Sequence, residues 1–265
     1  MPTFTGKTFS SFYKNLLGLN QSSNTGVDAT LRTIHDGAGQ STAISLCDDT
    51  LLVQPINDNT PSTLLVKNKA GDIIFSVSTA DSTVLIGASL VAANTQYAYF
   101  GASPILGFSA VAGTHYAVPF GNQTTTTGTV AMGTGGEPST SYDISANNNG
   151  DDMAVTLWYI PDNITIDQVY WIAGGNASTG DTINIHLLSF DFDAGVGAGK
   201  GDLSNGTVVA GCEDKASLGY ENIIYESIAP SSANVDAGKV CMLTFESNGT
   251  NSDYAINATV KYHIR

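Results

Sequence analysis

The sequence predicts an all-β chain, and three observations carry that prediction. Short runs of β-branched and aromatic residues recur through most of the 265 residues, and Gly, Asn, Asp or Pro follows nearly every run. Helix signals are scarce. Several runs alternate between apolar and polar residues, the period of a strand with one buried face. We expect a short N-terminal anchor, then a trimeric interwound β shaft or collar, then a jelly-roll-like β-sandwich.

Residues 1–26 are predicted to be the anchor. A short helix is predicted from Thr8 to Leu19, because apolar residues fall three to four positions apart, Thr8 is a suitable cap and Gly18 is a suitable stop. A helix this short is marginal alone and needs a surface to dock on, either the rest of its own chain or a partner. The residues expected to bind a partner are Phe4, Phe9, Phe12, Tyr13, Leu16 and Leu17.

Residues 27–120 are predicted to form the shaft or collar. The Asp36-Gly37 pair predicts a tight turn, and strands of four or five residues follow, many of them apolar on both faces. Such strands bury little surface in one chain and need neighbours on both sides. We therefore expect stacked neighbours or identical chains wrapped together to share a set of core residues: Leu52, Leu65, Ile73, Phe75, Val77, Val84 and Ile86.

Residues 121–150 are predicted to be a linker or loop, because Thr, Asn and Gly dominate them. Residues 151–265 are predicted to be the sandwich. Its clearest strand runs from Ile256 to Ile264 with strict alternation. Turn residues separate the strands and no helix signal intervenes, as in sandwiches and jelly rolls.

Composition excludes several function classes. Only 13% of residues are charged, and 10 Lys and Arg against 24 Asp and Glu give a net charge of −14. A nucleic-acid-binding surface needs clustered cations, so we expect none. No apolar run is long enough to cross a membrane, and the N-terminus lacks the apolar core of a secretory signal. The three cysteines are widely spaced, which favours free thiols and a reducing compartment.

No pattern of catalytic residues is visible, and we expect no enzyme. The glycine-rich run from Gly195 to Gly201 lacks the Ser or Thr after Lys200 that a phosphate loop requires. Three aspartates flank it and would suit calcium, although the spacing is not that of an EF-hand and a solvated loop remains the alternative: Asp191, Asp193 and Asp202. No other cofactor is expected.

Two adjacent aromatics, Tyr170 and Trp171, are candidates for surface recognition. Neighbouring residues of a strand point to opposite faces, so one ring of the pair is expected on an outer face or at a subunit contact. The same argument applies to Trp158 and Tyr159.

The segment from Asp36 to Gly87 resembles the shafts and collars of tailed-bacteriophage fibre and spike proteins. The resemblance is based on these segments: Asp36-Gly37, Thr50-Leu51-Leu52-Val53-Gln54-Pro55, Ser62 to Asn68, Gly71-Asp72-Ile73-Ile74-Phe75-Ser76-Val77 and Ser82 to Gly87. The C-terminal region is similar to the sandwich heads of marine-type phage virion proteins, through residues 160–167 and 201–206. The chain departs from the family pattern in having no autoproteolytic C-terminal chaperone and no long β-helix.

The resemblance implies a virion structural protein assembled in the host cytoplasm, a homotrimeric spike, fibre or decoration protein. Its N-terminus would attach to capsid or tail proteins, and its outward domain would contact a host-surface glycan or receptor or stabilise the capsid. Nucleic-acid binding and membrane insertion are not expected. The alternative is a carbohydrate-binding module or adhesin of the β-sandwich type.

Overall fold

The computed structural model describes residues 16–21, 26–87, 89, 91–102, 111–121, 130–147, 150–175, 181–195, 197, 200–216, 222–249 and 254–265. The chain divides into two compact units, Met1–Ala93 and Asn94–Arg265. Both are built from antiparallel strands, so the all-β prediction is confirmed. Among the described residues, no helix has the length and apolar character needed to cross a membrane.

The N-terminal unit contains two four-stranded meanders. The first has the order β1-β2-β3-β4, and the second has the order β5-β6-β7-β8. Their bounds are β1 Leu17–Leu19, β2 Arg32–Asp36, β3 Ser41–Leu46, β4 Leu51–Val53, β5 Leu64–Lys67, β6 Ile73–Ser78, β7 Thr83–Ile86 and β8 Val91–Ala92. The strands predicted in this region are confirmed.

The turn between β2 and β3 is built by one aspartate. The carboxylate of Asp36 accepts hydrogen bonds from the backbone N–H groups of Ala38 and Gln40. The backbone carbonyl of Asp36 accepts one from the N–H of Gly39, which has a φ of 83°. A left-handed φ favours glycine at this position. The turn predicted from the Asp-Gly pair therefore forms.

The predicted N-terminal helix is wrong over its last three residues. Leu17–Leu19 is a strand that pairs with β2, Leu17 lying opposite Asp36 and Leu19 opposite Ile34. Gly18 weakens a helix, and the free edge of β2 offers this segment hydrogen bonds that an isolated short helix cannot match. Leu17 is 70% exposed. Leu16, directly before β1, is half-buried. The other anchor residues, Phe4, Phe9, Phe12 and Tyr13, lie outside the described residues.

The C-terminal unit is a sandwich of two sheets. One sheet has the order β16-β13-β19-β9, with β17 beside β13, and the other has the order β11-β10-β18-β14-β15, with β12 beside β18. Their bounds are β9 Thr95–Ala102, β10 Thr114–Val118, β11 Ala131–Thr134, β12 Trp158–Tyr159, β13 Ile164–Gly175, β14 Thr182–Phe192, β15 Leu203–Ala216, β16 Asn222–Ile228, β17 Asn234–Val235, β18 Lys239–Ser247 and β19 Ala255–Ile264. We call the first sheet the outer sheet and the second the central sheet.

The domain boundaries differ from the expected ones. Residues 94–120 were expected in the shaft, yet β9 and β10 are strands of the sandwich, and β9 pairs with β19 along eight residues. Pairing between such distant segments leaves no local signal in the sequence. The prediction that placed β9 and β10 in the shaft is therefore wrong.

The described part of residues 121–150 is packed structure and not a linker. It contains β11 and a short helix, α1 (Ile144–Asn147), and a second short helix, α2 (Gly150–Ala154), follows. Tyr142 forms a β-bridge with Leu203, and the Thr140 carbonyl accepts the Gly206 N–H at 2.8 Å. A side chain at position 206 would collide with Thr140, so glycine permits this approach. The segment covers the central sheet.

The central sheet is consequently buried on both faces. One face packs against the outer sheet in a core that includes Phe100, Trp171, Ile185 and Leu243. The other face packs under the covering segment in a second core, whose members are Ala117, Val130, Met132, Met153, Leu188, Phe190, Leu203, Val240 and Met242. Polar groups on this second face are thereby withdrawn from water.

Burial predicts a sharp contrast between two isoleucines of the sandwich. Ile166 is 1% exposed in β13, and Ile223 is 78% exposed in β16. We expect Ile166→Ala to lower the free energy of unfolding by about 2–5 kcal/mol, because it leaves a cavity. The matched control Ile223→Ala should change it by less than about 0.5 kcal/mol.

The measurement is urea unfolding followed by tryptophan fluorescence. Both tryptophans of the chain, Trp158 and Trp171, lie in the C-terminal unit and report on it alone. Equal losses in the two variants would contradict the assigned faces of β13 and β16.

Candidate functional site

Apolar side chains of the second N-terminal meander line up on one face. In one row across the sheet, Val66 pairs with Phe75, Phe75 with Ile86 and Ile86 with Val91; in the next, Leu64 pairs with Val77 and Val77 with Val84. Ile73 shares this face because it lies two residues before Phe75. We call these eight residues the apolar face; they are Leu64, Val66, Ile73, Phe75, Val77, Val84, Ile86 and Val91.

None of the apolar face is buried within the chain. Leu64, Val66, Val84 and Ile86 are 38–46% exposed, and the other four are half-buried. In the described part of the N-terminal unit, the only buried residues are two serines on the opposite face, Ser76 and Ser78. This unit therefore has no hydrophobic core of its own among those residues.

Five of the seven predicted shaft residues lie on the apolar face: Ile73, Phe75, Val77, Val84 and Ile86. Leu65 lies on the opposite face, across from Ser76. Leu52 belongs to the first meander, where it pairs with Ser45. The sequence pattern identifies apolar strand residues, but it does not show which of the two faces of the sheet each residue lies on.

The predicted recognition pair divides between the inside and the outside. Trp171 is fully buried in the sandwich core, so its assignment to the surface is wrong. It shares the inward side of β13 with Val169 and Ala173, which are also buried. Tyr170 lies on the outer face and is half-buried. Trp158 and Tyr159 divide in the same way, at 8% and 53% exposed.

The outer face of the outer sheet carries a group of exposed aromatic and aliphatic side chains. Tyr99 and Tyr170 both flank Thr259 on this face, and Ile172 lies opposite Tyr225. Tyr97, Tyr99, Ile172 and Tyr225 are 46–59% exposed. We call Tyr97, Tyr99, Tyr170, Ile172 and Tyr225 the tyrosine platform. Its members come from three strands that are remote in sequence.

The three aspartates expected as calcium ligands bind different protein groups. Asp191 accepts a hydrogen bond from Lys239 at 2.5 Å, Asp193 from Lys200 at 2.6 Å, and Asp202 from the Ile144 backbone N–H at 2.9 Å. The structure therefore ties them to two lysines and to the first turn of α1, and does not gather them as one ligand set.

Among the described residues, a different group presents ligand atoms close together. Atoms of Glu137, His186 and Glu213 lie within 4.8 Å of one another. The Nε2 atom of His186 is 3.6 Å from Oε2 of Glu137 and 3.7 Å from Oε1 of Glu213. The imidazole is 1% exposed, whereas the two carboxylates are 59% and 52% exposed. We call these three residues the His–Glu cluster.

His186 lies on a covered face of the central sheet. The alternation of β14 puts it on the side opposite Ile185 and Leu187, and that side is buried. Its ring contacts the ring of His115, also buried, at a centroid distance of 5.3 Å. Burial lowers the pKa of both histidines, and the charge of His115 lowers that of His186 further. Both imidazoles are therefore neutral at physiological pH.

A buried glutamate lies beside this cluster. Glu246 pairs with Asn184 and directly follows Phe245, which pairs with Tyr116, the residue after His115. Burial raises the pKa of Glu246 to about 7, and the charge of Asp214 raises it further, whereas hydrogen bonds from Gly113 and Asn184 oppose the shift. Its Oε2 atom has no hydrogen-bond partner, which favours the protonated carboxyl.

Comparisons with known proteins do not assign a family. No family model and no curated protein matches the chain. Among solved structures, a CocE/NonD family hydrolase from Staphylococcus aureus matches with 6% identity and a TM-score of 0.32, covering 69% of this chain and 39% of that one. An aminopeptidase from a marine sediment Thaumarchaeota archaeon matches with 8% identity and a TM-score of 0.28, covering 72% and 40%. The chain thus spans about two fifths of either protein, and likeness this distant says nothing about activity.

The shifted pKa of Glu246 predicts a pH-dependent stability. Below pH about 4.5 the carboxyl is protonated in both the folded and unfolded states. Between pH 4.5 and 7 only the unfolded state loses the proton, so folding stability falls as pH rises and stays low above pH 7. Glu246→Gln removes this loss and should gain up to about 3 kcal/mol over the native chain across that window.

The measurement is the free energy of unfolding of each chain, from urea titrations at pH 4, 5.5 and 7.5 with a chelator present. The control is Asp162→Asn, at an exposed turn residue, which should show no such pH-dependent gain. A Glu246→Gln difference that is constant with pH would contradict a protonated, buried Glu246.

Proposed function

We propose that this chain is a structural protein of a tailed-phage virion, a homotrimeric spike, fibre or decoration protein. The observation that carries the proposal is the uneven burial of its two units. The C-terminal sandwich has two hydrophobic cores, whereas the described part of the N-terminal unit buries only two serines. Such a division is typical of a chain that assembles through one end and presents the other.

The occupant we assign to the apolar face is two further copies of the same chain. The eight side chains of the apolar face are uncharged, and Lys67, which pairs with Ile73, lies at the end of edge strand β5 and is exposed. Identical faces can therefore pack together while the charge of Lys67 stays at the margin of the contact. The chain as a whole carries a net charge of −14, which opposes association through its other surfaces. In a closed assembly, each copy covers the apolar face that a single copy leaves exposed.

In this proposal the N-terminal region attaches to capsid or tail proteins, and the sandwich is the outward end. The tyrosine platform then faces the surroundings of the particle. Exposed tyrosine rings can stack on the apolar faces of sugar rings, and their hydroxyl groups can bind sugar hydroxyls. Contact with a host-surface glycan is the role we assign to the sandwich, with capsid stabilisation as the other role within this class.

The tyrosine platform also favours the second candidate function, a carbohydrate-binding module or adhesin. That candidate needs no assembly through the apolar face. Glycan binding by a monomeric chain, abolished in Tyr99→Ala and Tyr225→Ala, would favour it over a virion protein. A glycan array with no binding would remove it.

Charge placed on the apolar face should prevent assembly. We expect the double variant Val66→Lys/Val84→Lys to sediment as a monomer where the native chain sediments as a trimer, because three copies would bury six ammonium groups. Both positions are about two-fifths exposed, so the single chain tolerates the lysines. The measurement is sedimentation velocity over a hundredfold range of concentration.

The matched control is Ile223→Lys, which places the same charge on an exposed isoleucine of the sandwich. It should leave the assembly intact. A native chain that is monomeric at every concentration, or an assembly that survives in the double variant, would contradict the proposed interface.

Particle composition tests the virion role itself. We expect the chain in purified particles of the phage that encodes it, at a copy number divisible by three, by quantitative mass spectrometry. Its absence from intact particles would contradict a structural role in the virion.

A further inference from the structure

A glycine on the strand next to β14 leaves space for the imidazole of the His–Glu cluster. His186 of β14 pairs with Gly211 of β15, and a Cβ at position 211 would be 2.5 Å from Cδ2 of the imidazole. Glycine at that position therefore makes room for the ring to lie against the neighbouring strand. Any larger residue would push the ring away from the two carboxylates.

A β-bulge presents the first carboxylate. The pairing of β14 with β15 shifts between Ile183 and Ile185, where Glu213 and Asp214 lie on the longer strand. Asp214 has a φ of 51°, and its N–H donates to Oδ1 of Asn184 at 2.6 Å. The Asn184 side chain thus fixes the bulge that holds Glu213 over the ring of His186. Bulges of this kind often direct side chains at functional sites.

The second carboxylate comes from the loop after β11. Nε2 of His115 donates to the Gly135 carbonyl at 2.9 Å, and the Gly135 N–H donates to the Gly113 carbonyl at 3.1 Å. These two bonds anchor the loop two residues before Glu137. His115 is a positioning residue here, since it holds the loop and packs against His186 without belonging to the set of ligand atoms.

The cluster is unsatisfied as a purely protein arrangement. Both ring nitrogens of His186 lack a hydrogen-bond partner, although the ring is 99% buried. The two carboxylate oxygens lie beyond hydrogen-bond distance from Nε2. The ion pairs of the described residues include no Lys or Arg beside Glu137 or Glu213. The two carboxylates and a lone pair of the neutral imidazole therefore point toward one place, with no cation between them.

We propose that Glu137, His186 and Glu213 bind a divalent transition-metal ion of the zinc class. Ligand atoms about 2.0–2.1 Å from a tetrahedral ion lie about 3.4 Å apart, close to the 3.6 and 3.7 Å that separate Nε2 from the two oxygens. An imidazole ligand favours Zn²⁺ over Ca²⁺ and Mg²⁺. The exposed carboxylates leave the fourth position open to water or to a ligand from outside.

The ion would clip the loop of Glu137 to the bulge of β15. It would replace the missing partner of Nε2 and neutralise the two carboxylates. The site needs only residues of the C-terminal unit, so this inference does not depend on the proposed virion role.

The test is equilibrium dialysis of the full chain against ZnCl₂ after removal of metals with a chelator, with bound zinc quantified by mass spectrometry. We expect one saturable zinc per chain, unaffected by millimolar CaCl₂. Glu137→Gln and Glu213→Gln should each weaken binding at least about tenfold, and the double variant should abolish it. Both side chains are more than half exposed, so neither change should disturb folding.

The matched control is Asp191→Asn/Asp193→Asn, which removes the same amount of charge from the end of β14 and the loop that follows it. It should bind zinc as the native chain does. The proposal is overturned if no stoichiometric zinc binds, if the Glu137→Gln/Glu213→Gln variant binds as tightly as the native chain, or if the control loses the site.

Discussion

Apolar side chains on a β-strand need cover, and within the part of the chain that the structure describes only one of the two units provides it. In the sandwich, strands of the central sheet have apolar residues on both faces, and both faces are covered by other segments of the same chain. In the second N-terminal meander, strands of similar composition have no segment over the apolar face among the described residues. The proposed assembly follows from that difference, because burial of apolar surface is the main favourable term in folding.

Double coverage of the central sheet also creates the His–Glu cluster. The segment that contains α1 and α2 packs Met153 and Ile144 against one end of the second face, in the core that includes Met132 of β11. At the other end the same face carries His115, His186 and Glu246, which the cover withdraws from water. Polar groups in that position must find partners or change their charge state. The lowered pKa values of the two histidines and the raised pKa of Glu246 are one response, and the metal ion that we propose is the other.

Local pattern was sufficient to predict individual strands but not their partners. Alternation in β19 placed Ile256, Ala258 and Val260 inside, and all three are buried. Pairing of β9 with β19 joins segments more than 150 residues apart, so composition alone assigned β9 to the wrong unit. The end of the predicted helix failed for a related reason, since Leu17–Leu19 takes its structure from the edge of β2.

The candidate sites show the same limit. The period of β14 puts His186 on the face opposite Ile185, yet only the tertiary structure shows that it is buried there, against His115 and beside the loop of Glu137. Nothing in the sequence joins Glu137 to Glu213, which lie on a loop and a bulge 76 residues apart. In β13, the run Val169, Trp171 and Ala173 was the available signal that Trp171 points inward, because its neighbours at the same parity are all apolar.

Hydrogen exchange of the full chain tests the uneven burial most directly. The amides of β6 are compared with those of β14, which lies between two covered faces and serves as an internal standard. A sheet whose apolar face is uncovered opens at low free energy and exchanges rapidly. If other copies cover the apolar face, the β6 amides exchange as slowly as those of β14. Complete exchange of β6 within seconds, while β14 stays protected, would contradict the account.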